Sequence, residues 1–324
     1  MELTIEVDGV RLPATLDLPA GPVRGAVVVL HGAGAGQRSY FCYAHLAGLL
    51  PGAGVAVLRF DRRPRVNDRD VPLVRQADDA AAAVRLLRRH VGDAPIGLWG
   101  WSQGAWAAPL AATRHPDLVS FLVLVSGSGV SPAAQMRYGT AEQLRRHGYA
   151  DTDLAELGRL RSTVEEYLRG RLDRQTAQRA VDRAAGRVWF PLAWVPRELP
   201  DQPGTWADMD FDPAPVFARV TCPVLLYYGA TDAWVPVDAS IATWRRATAG
   251  GSARLSVCRL DGCDHLPILG GGEDLASISE QYTRTLLDWL DAELTRPAAW
   301  RPAPPGAGRP HAQSSQRASS PTRT

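Results

Sequence analysis

Short apolar runs punctuate this chain at intervals, and most carry no polar alternation. Gly25-Ala-Val-Val-Val-Leu30, Val55-Ala-Val-Leu-Arg-Phe60, Ile96–Trp99, Phe121-Leu-Val-Leu-Val125, Val224-Leu-Leu-Tyr-Tyr228 and Arg254–Leu260 each read as a strand. Continuous runs of this kind belong to parallel strands covered on both faces. Between them, apolar residues recur at helical spacing over about 38–50, 75–91, 103–114, 236–248 and 275–295. Strand alternating with helix predicts a parallel sheet layered by helices on both sides. Residues 2–18 differ: they read as two antiparallel strands joined at Asp8-Gly9, a hairpin signal.

The alternation breaks between Val125 and Val224. Residues 141–186 carry a helical pattern dense in Arg and Glu, with Leu144, Leu154, Leu157, Leu160 and Leu168 as apolar positions. Residues 188–215 then turn rich in Trp and Pro. This block reads as a mostly helical cap inserted over the carboxyl edge of the sheet. Its aromatic residues Trp189, Phe190, Trp194 and Trp206 suit the apolar roof of a substrate pocket; ordinary core helix is the plainer reading. The expected division is a core first part at 1–129, the cap at 130–215, a core second part at 216–296, and a Pro/Ala/Ser/Arg-rich disordered tail at 297–324.

Composition narrows the chemistry. The 324 residues carry a net charge of +2 and are 45% hydrophobic, enough for one large α/β domain plus an insertion, with nothing pointing to a nucleic-acid partner. All 36 basic residues are arginine. A Schiff-base lysine and a P-loop lysine are therefore excluded. Cys42, Cys222, Cys258 and Cys263 are scattered without a C-x-x-C pair, so neither a metal site nor a disulfide framework is expected. Reduced cysteines, no secretory signal and no apolar run near ~18 residues together predict a cytoplasmic protein with no membrane partner.

Candidate chemistry centres on Gly100-Trp101-Ser102-Gln103-Gly104, which follows a predicted strand and opens a helical segment. Strand, sharp turn and helix are the setting of a nucleophile elbow, which exposes the serine Oγ above the sheet. A plain Gly/Ser turn is the bland alternative. A serine needs a base to take its proton, and the base needs a carboxylate to fix its tautomer. The elbow's usual chain order is Ser, then Asp or Glu, then His. Asp232 and His265 each lie in a loop just past a predicted strand, where open α/β sheets place reacting groups. His90, His115 and His147 sit in or beside arginine-rich helical stretches, His45 in a helix, and His311 in the tail. Asp208, Asp210, Asp212, Asp261 and Asp264 compete with Asp232; Asp264, adjacent to the histidine, points its side chain elsewhere. The oxyanion requires two amide donors. One is expected from Gln103, the other from Ala33 or Gly34 in the glycine loop His31-Gly-Ala-Gly-Ala-Gly36, with His31 bracing that loop. A phosphate cradle is disfavoured there, because the G-x-G-x-x-G spacing is missing. Trp101 and Trp106 flank the elbow and are candidates to line the same pocket; burial under the sheet is the more ordinary role. No metal or organic cofactor is required.

His31-Gly-Ala-Gly34, the elbow at Ser102, Tyr228-Gly-Ala-Thr-Asp232 and Asp261-Gly-Cys-Asp-His265, in that order, resemble the α/β-hydrolase family over roughly residues 22–295. The resemblance is to bacterial serine esterases with a helical lid after the sixth core strand. Phe121–Pro132 is similar to the lid's entry, and Val220–Leu226 to its exit. It implies an α/β-hydrolase fold and cleavage of a small or medium apolar ester through an acyl-enzyme on Ser102. Thioesterase, amidase or peptidase, acyltransferase, haloperoxidase and C–C hydrolase chemistry use the same triad, and a non-catalytic ligand-binding module is the alternative of another class. Haloalkane dehalogenases and epoxide hydrolases are disfavoured, since they carry Asp where Ser102 stands. One departure is visible. Such members often have Asp-x-Arg-Gly-x-Gly-x-Ser after the second parallel strand, and Asp61-Arg-Arg-Pro-Arg65 keeps the Asp and Arg without the glycines.

Overall fold

The computed structural model describes residues 1–34, 36–65 and 69–296. The expected disordered tail at 297–324 lies outside them.

Eight strands form one sheet: β1 (Glu2–Val7), β2 (Val10–Asp17), β3 (Gly25–Leu30), β4 (Val55–Phe60), β5 (Ile96–Trp101), β6 (Phe121–Val125), β7 (Val224–Gly229) and β8 (Leu255–Leu260). Their spatial order is β1-β2-β4-β3-β5-β6-β7-β8. The β1/β2 and β2/β4 pairings are antiparallel; the others are parallel. The Asp8-Gly9 hairpin joins β1 to β2, as the turn signal predicts.

Every β3 residue is buried, and its side chains alternate between two cores. Ala26, Val28 and Leu30 face the layer of α2 (Leu73–Val91), α3 (Gly104–Arg114) and α8 (Val237–Thr248). Val27 and Val29 face α1 (Phe41–Leu49) and α9 (Glu280–Leu294). Each such valine contributes about 1.5–3 kcal/mol of burial, whichever face it points to. The lack of polar alternation in the sequence has this cause.

The segment between β6 and β7 forms α4 (Pro132–Arg146), α5 (Asp151–Leu168), α6 (Arg174–Ala184) and the short α7 (Ala214–Phe217). The helical pattern expected over 141–186 thus begins earlier and is broken twice. Ser131 caps α4 and Asp173 caps α6, each accepting an amide in the first turn. Gly148 and Gly170 end α4 and α5 in the left-handed conformation, at φ 75° and 73°. These helices bury a core of their own, including Leu157, Leu160, Val164, Val181, Trp189 and Phe190. Glu165 is buried within it beside Arg137, Arg161 and Arg169; burial pushes its carboxyl pKa up and the arginines oppose that. The segment's return path is tied to the sheet domain by Asp208, which accepts the Leu73 amide at 2.7 Å. That bond caps α2, whose own N-cap residue, Pro72, offers no side-chain acceptor.

Candidate active site

Strand order locates the site. The chain moves outward from β3 to β4, then returns to place β5 on the other side of β3. A crevice opens at such a reversal, outside the carboxyl ends of the strands. The loops after β3 and β5 are neighbours there, because Leu30 pairs with Gly100.

The loop after β5 is the elbow. Ser102 sits at φ 51°, a left-handed conformation costly for a residue with a Cβ. Its amide is anchored on the Val125 carbonyl of β6 at 2.9 Å. A Cβ on Gly100 would lie 2.4 Å from the Gly104 carbonyl oxygen, and one on Gly104 would lie 2.7 Å from that of Leu30. Both are backbone clashes, so glycine is required two residues before and two after the serine.

The loops after β7 and β8 bring in the partners. His265 Nε2 lies 3.0 Å from Ser102 Oγ. His265 Nδ1 lies 3.2 and 3.1 Å from the two carboxylate oxygens of Asp232. The Asp232 side chain is fully buried, whereas that of His265 is 18% exposed. Asp232 Oδ1 also accepts the amides of Trp234 at 2.8 Å and Val235 at 3.1 Å. Asp264 is turned away, accepting the Ala233 amide at 2.8 Å and pairing with Arg146 at 2.6 Å. Three side chains from three loops therefore meet, and Asp264, the carboxylate next to His265 in the chain, is engaged elsewhere.

The glycine loop faces them. Gly32 donates its amide to the Tyr43 hydroxyl at 3.2 Å. Among the described residues, no protein acceptor takes the amides of Ala33 or Gln103. His31 is buried, and its Nε2–H donates to the Phe60 carbonyl at 2.5 Å. Burial depresses its pKa to about 4, with Arg62 adding to the shift, while the Phe60 carbonyl and Asp61 oppose it. Its protonation follows a definite sign. Above pH ~6.5 the imidazole is neutral in both folded and unfolded chains. Between about 6.5 and 4 the unfolded chain gains a proton that the folded one does not, so stability falls as pH falls, by roughly 3 kcal/mol across the window. Urea midpoints measured from pH 7 to pH 4 are expected to drop less steeply in His31→Gln than in the wild type. Parallel slopes would assign the acid sensitivity to other groups.

Arg62, in the loop after β4, reaches both sides of the crevice. Its Nη1 lies 3.4 Å from the Gly32 carbonyl oxygen and 3.1 Å from that of Ala33. Its Nη2 donates to Gln103 Oε1 and, at 3.2 Å, to Asp70 Oδ1. Gln103 Nε2 donates to Asp70 Oδ2 at 2.9 Å.

Ser102 and His265 open on a cavity of roughly 680 Å³. Its walls include the candidate donors Ala33, Gly34 and Gln103 and, of the aromatic candidates, Trp101, Trp106, Trp194 and Trp206. Trp101 and Trp106 are held by hydrogen bonds from their indole N–H to the carbonyls of His265 and Ser128. Trp189 and Phe190 require correction: they do not line the cavity but fill the core of the inserted helices, at 1% and 4% exposure. That core needs large apolar side chains as much as a pocket does, and composition cannot separate the two uses. Met136, Trp234, Leu266 and Ile268 line the cavity without having been singled out. Trp234 and Leu266 each follow a triad position closely in the chain, a proximity that could have marked them. Arg161, from α5, is the one arginine among the described lining residues. Among the described residues, no group of three or more His, Cys, Asp or Glu side chains could hold a metal ion.

A doubly wound sheet carrying a Ser–His–Asp contact at its carboxyl edge is the architecture of a hydrolase. The chain belongs to the alpha/beta hydrolase family, whose model matches residues 27–278. It is 31% identical over 272 residues to the pimeloyl-[acyl-carrier protein] methyl ester esterase of Aromatoleum aromaticum, covering 81% of this chain and 99% of that protein. The enzyme of the same name from Neisseria meningitidis is 29% identical over 215 residues, 66% of this chain and 78% of that one. Among solved structures, Est1E from Butyrivibrio proteoclasticus superposes with a TM-score of 0.57 at 18% identity, covering 91% of this chain and 99% of that chain. Proline iminopeptidase from Mycobacterium smegmatis gives 0.58 at 16% identity over the same shares. At such identities the structures share the fold alone.

Proposed function

We propose that this protein is a serine hydrolase that cleaves a carboxylic ester through an acyl-enzyme on Ser102. The observation that carries the reading is the unbroken chain of contacts from Ser102 Oγ to His265 Nε2 and from His265 Nδ1 to Asp232. Ser102 Oγ attacks the ester carbonyl carbon and its proton passes to His265 Nε2. The carbonyl oxygen becomes an oxyanion facing the amides of Gln103 and Ala33, with Gly34 as the other donor available. The tetrahedral intermediate collapses, and the leaving alkoxide takes the proton from Nε2. Water then enters, loses a proton to the same nitrogen and attacks the acyl carbon; the second tetrahedral intermediate breaks its bond to Ser102 Oγ, which takes the proton back from Nε2 as the acid is freed. Asp232 keeps the Nδ1 proton in place and stabilises the imidazolium formed in each half.

The relatives' name, a methyl ester esterase acting on an acyl-carrier-bound chain, supports a small alcohol group on an apolar acyl chain for this protein too. The tryptophan-rich cavity supports the same class of substrate. In this reading residues 130–215 are a lid domain between core parts 1–129 and 216–296. Among the described residues no helix is long and apolar enough to cross a membrane. The four free cysteines support a reducing compartment, and we assign the protein to the cytoplasm.

A graded substrate series tests the reading. Among p-nitrophenyl and methyl esters, kcat/KM is expected to peak at medium, uncharged acyl chains and to exceed that of matched thioesters and amides. A preference for short charged esters would reject the apolar substrate class, and faster thioester or amide cleavage would reject the ester assignment.

A further inference from the structure

Arg62 stands out as a buried cation with no place in the proton relay. We propose that Arg62 is a positioning residue that clamps both halves of the oxyanion-binding pair, gripping the Gly32 and Ala33 carbonyls with one nitrogen and the Gln103 side chain with the other. The inference rests on the ester-hydrolase reading and extends it to a residue that does not touch the substrate.

Peptide geometry makes the clamp directional. The described chain has no cis peptide bonds, and in a trans unit the C=O and N–H point opposite ways. The Gly32 carbonyl shares its plane with the Ala33 amide, and the Ala33 carbonyl with the Gly34 amide. Arg62 Nη1 sits within 3.4 Å of both oxygens. Both N–H groups are therefore aimed away from the guanidinium. Ala33 and Gly34 line the same cavity as Ser102. A cation on a carbonyl oxygen also polarises the peptide and strengthens its N–H as a donor.

The second arm fixes the other donor. The Arg62–Gln103 bond ties the residue carrying the elbow amide to the glycine loop, although these segments come from different strands. Asp70 closes the triangle by accepting from both Arg62 and Gln103. The Arg62 side chain is only 10% exposed. Its Nε finds no partner among the described residues, and burial lowers its pKa while Asp70 opposes. Burying a cation this incompletely satisfied is a poor route to stability alone. A planar fork that holds two loops in one geometry is a use that only arginine serves. In the Asp-x-Arg turn that follows the second parallel strand, Asp61 and Arg63 hold the retained positions and Arg62 the variable one; the structure gives Arg62 a specific contact set.

The test compares Arg62→Met and Arg62→Lys with the wild type on a medium-chain p-nitrophenyl ester. It also measures affinity for a trifluoromethyl ketone, which forms a tetrahedral adduct with an activated serine. Arg62→Met is expected to lower kcat by about 30- to 100-fold with KM within threefold, since misplaced donors weaken the transition state and not ground-state binding. Ketone affinity is expected to fall by a similar factor. Arg62→Lys keeps the charge but loses the fork, and is expected to lose about tenfold in kcat. Should the Met variant fail to fold, the Lys variant decides. A kcat within twofold of wild type, or a loss confined to KM, overturns the proposal. Failure of the underlying reading looks different, because the wild type itself would then neither turn over esters nor bind the ketone.

Discussion

Replacing Ser102 by alanine is expected to abolish ester turnover, lowering kcat by about 10⁵–10⁶ while leaving the fold intact. The size follows from the serine's place at the end of a connected relay. Its Oγ meets His265 Nε2 at 3.0 Å, and without that oxygen there is no atom to form the acyl-enzyme. Stability is not expected to fall. Ser102 holds φ 51°, so the elbow is strained whichever residue with a Cβ occupies it. Alanine neither adds to that strain nor removes it, and Ser102→Gly should raise stability by about 1 kcal/mol while remaining inactive. Thermal unfolding alongside a fluorophosphonate probe checks both halves. Wild-type protein should be labelled at Ser102 and the variants should not. An unlabelled wild type would favour a ligand-binding module on a hydrolase scaffold.

What the sequence made legible here is what covalent spacing encodes. The elbow glycines, the strand before Ser102 and the helix after it are all local, and each has a visible steric cause. Asp232 and His265 were legible for a related reason: both follow apolar runs, and parallel strands deliver their next residues to one edge of a sheet. Contacts between loops were not legible. Arg62 and Gln103 are far apart in the chain, and only the pairing of β3 with both β4 and β5 brings their loops together. Nothing in the spacing of those residues encodes that reversal. The tryptophans of the insertion divide for another reason. Trp189 and Phe190 open a short 3-10 turn and pack with α5 and α6, whereas Trp194, only a few residues later, is 63% exposed at the cavity wall. An aromatic cluster announces burial somewhere; which surface it covers depends on helix packing that composition does not carry. The helices α4, α5 and α6 were closer to readable, since Gly148 and Gly170 mark the two breaks between them.

Asp232→Asn is expected to lower kcat by about 10⁴ with little change in stability or KM, and the hydrogen bonds around the carboxylate say why. Asp232 Oδ1 accepts two backbone amides, those of Trp234 and Val235. An asparagine can satisfy both only by placing its carbonyl oxygen there. Its NH₂ group must then occupy the Oδ2 position, the nearer of the two to His265 Nδ1 at 3.1 Å against 3.2 Å. A donor now meets the nitrogen that must itself carry a proton, so the imidazole shifts to the tautomer with hydrogen on Nε2. That nitrogen lies against Ser102 Oγ and can no longer accept the serine's proton. The relay is thus blocked by exchanging one carboxylate oxygen, 3.1 Å from His265 Nδ1, for an NH₂ group, with the shape of the site preserved. Asp232→Ala should be less damaging to the tautomer but more damaging to the fold, because the two amides lose their acceptor inside a buried site. The pair of variants separates tautomer control from simple loss of charge. If Asp232→Asn retained more than a tenth of wild-type kcat, the carboxylate would be a structural anchor for its own loop and the orienting group would have to be sought elsewhere.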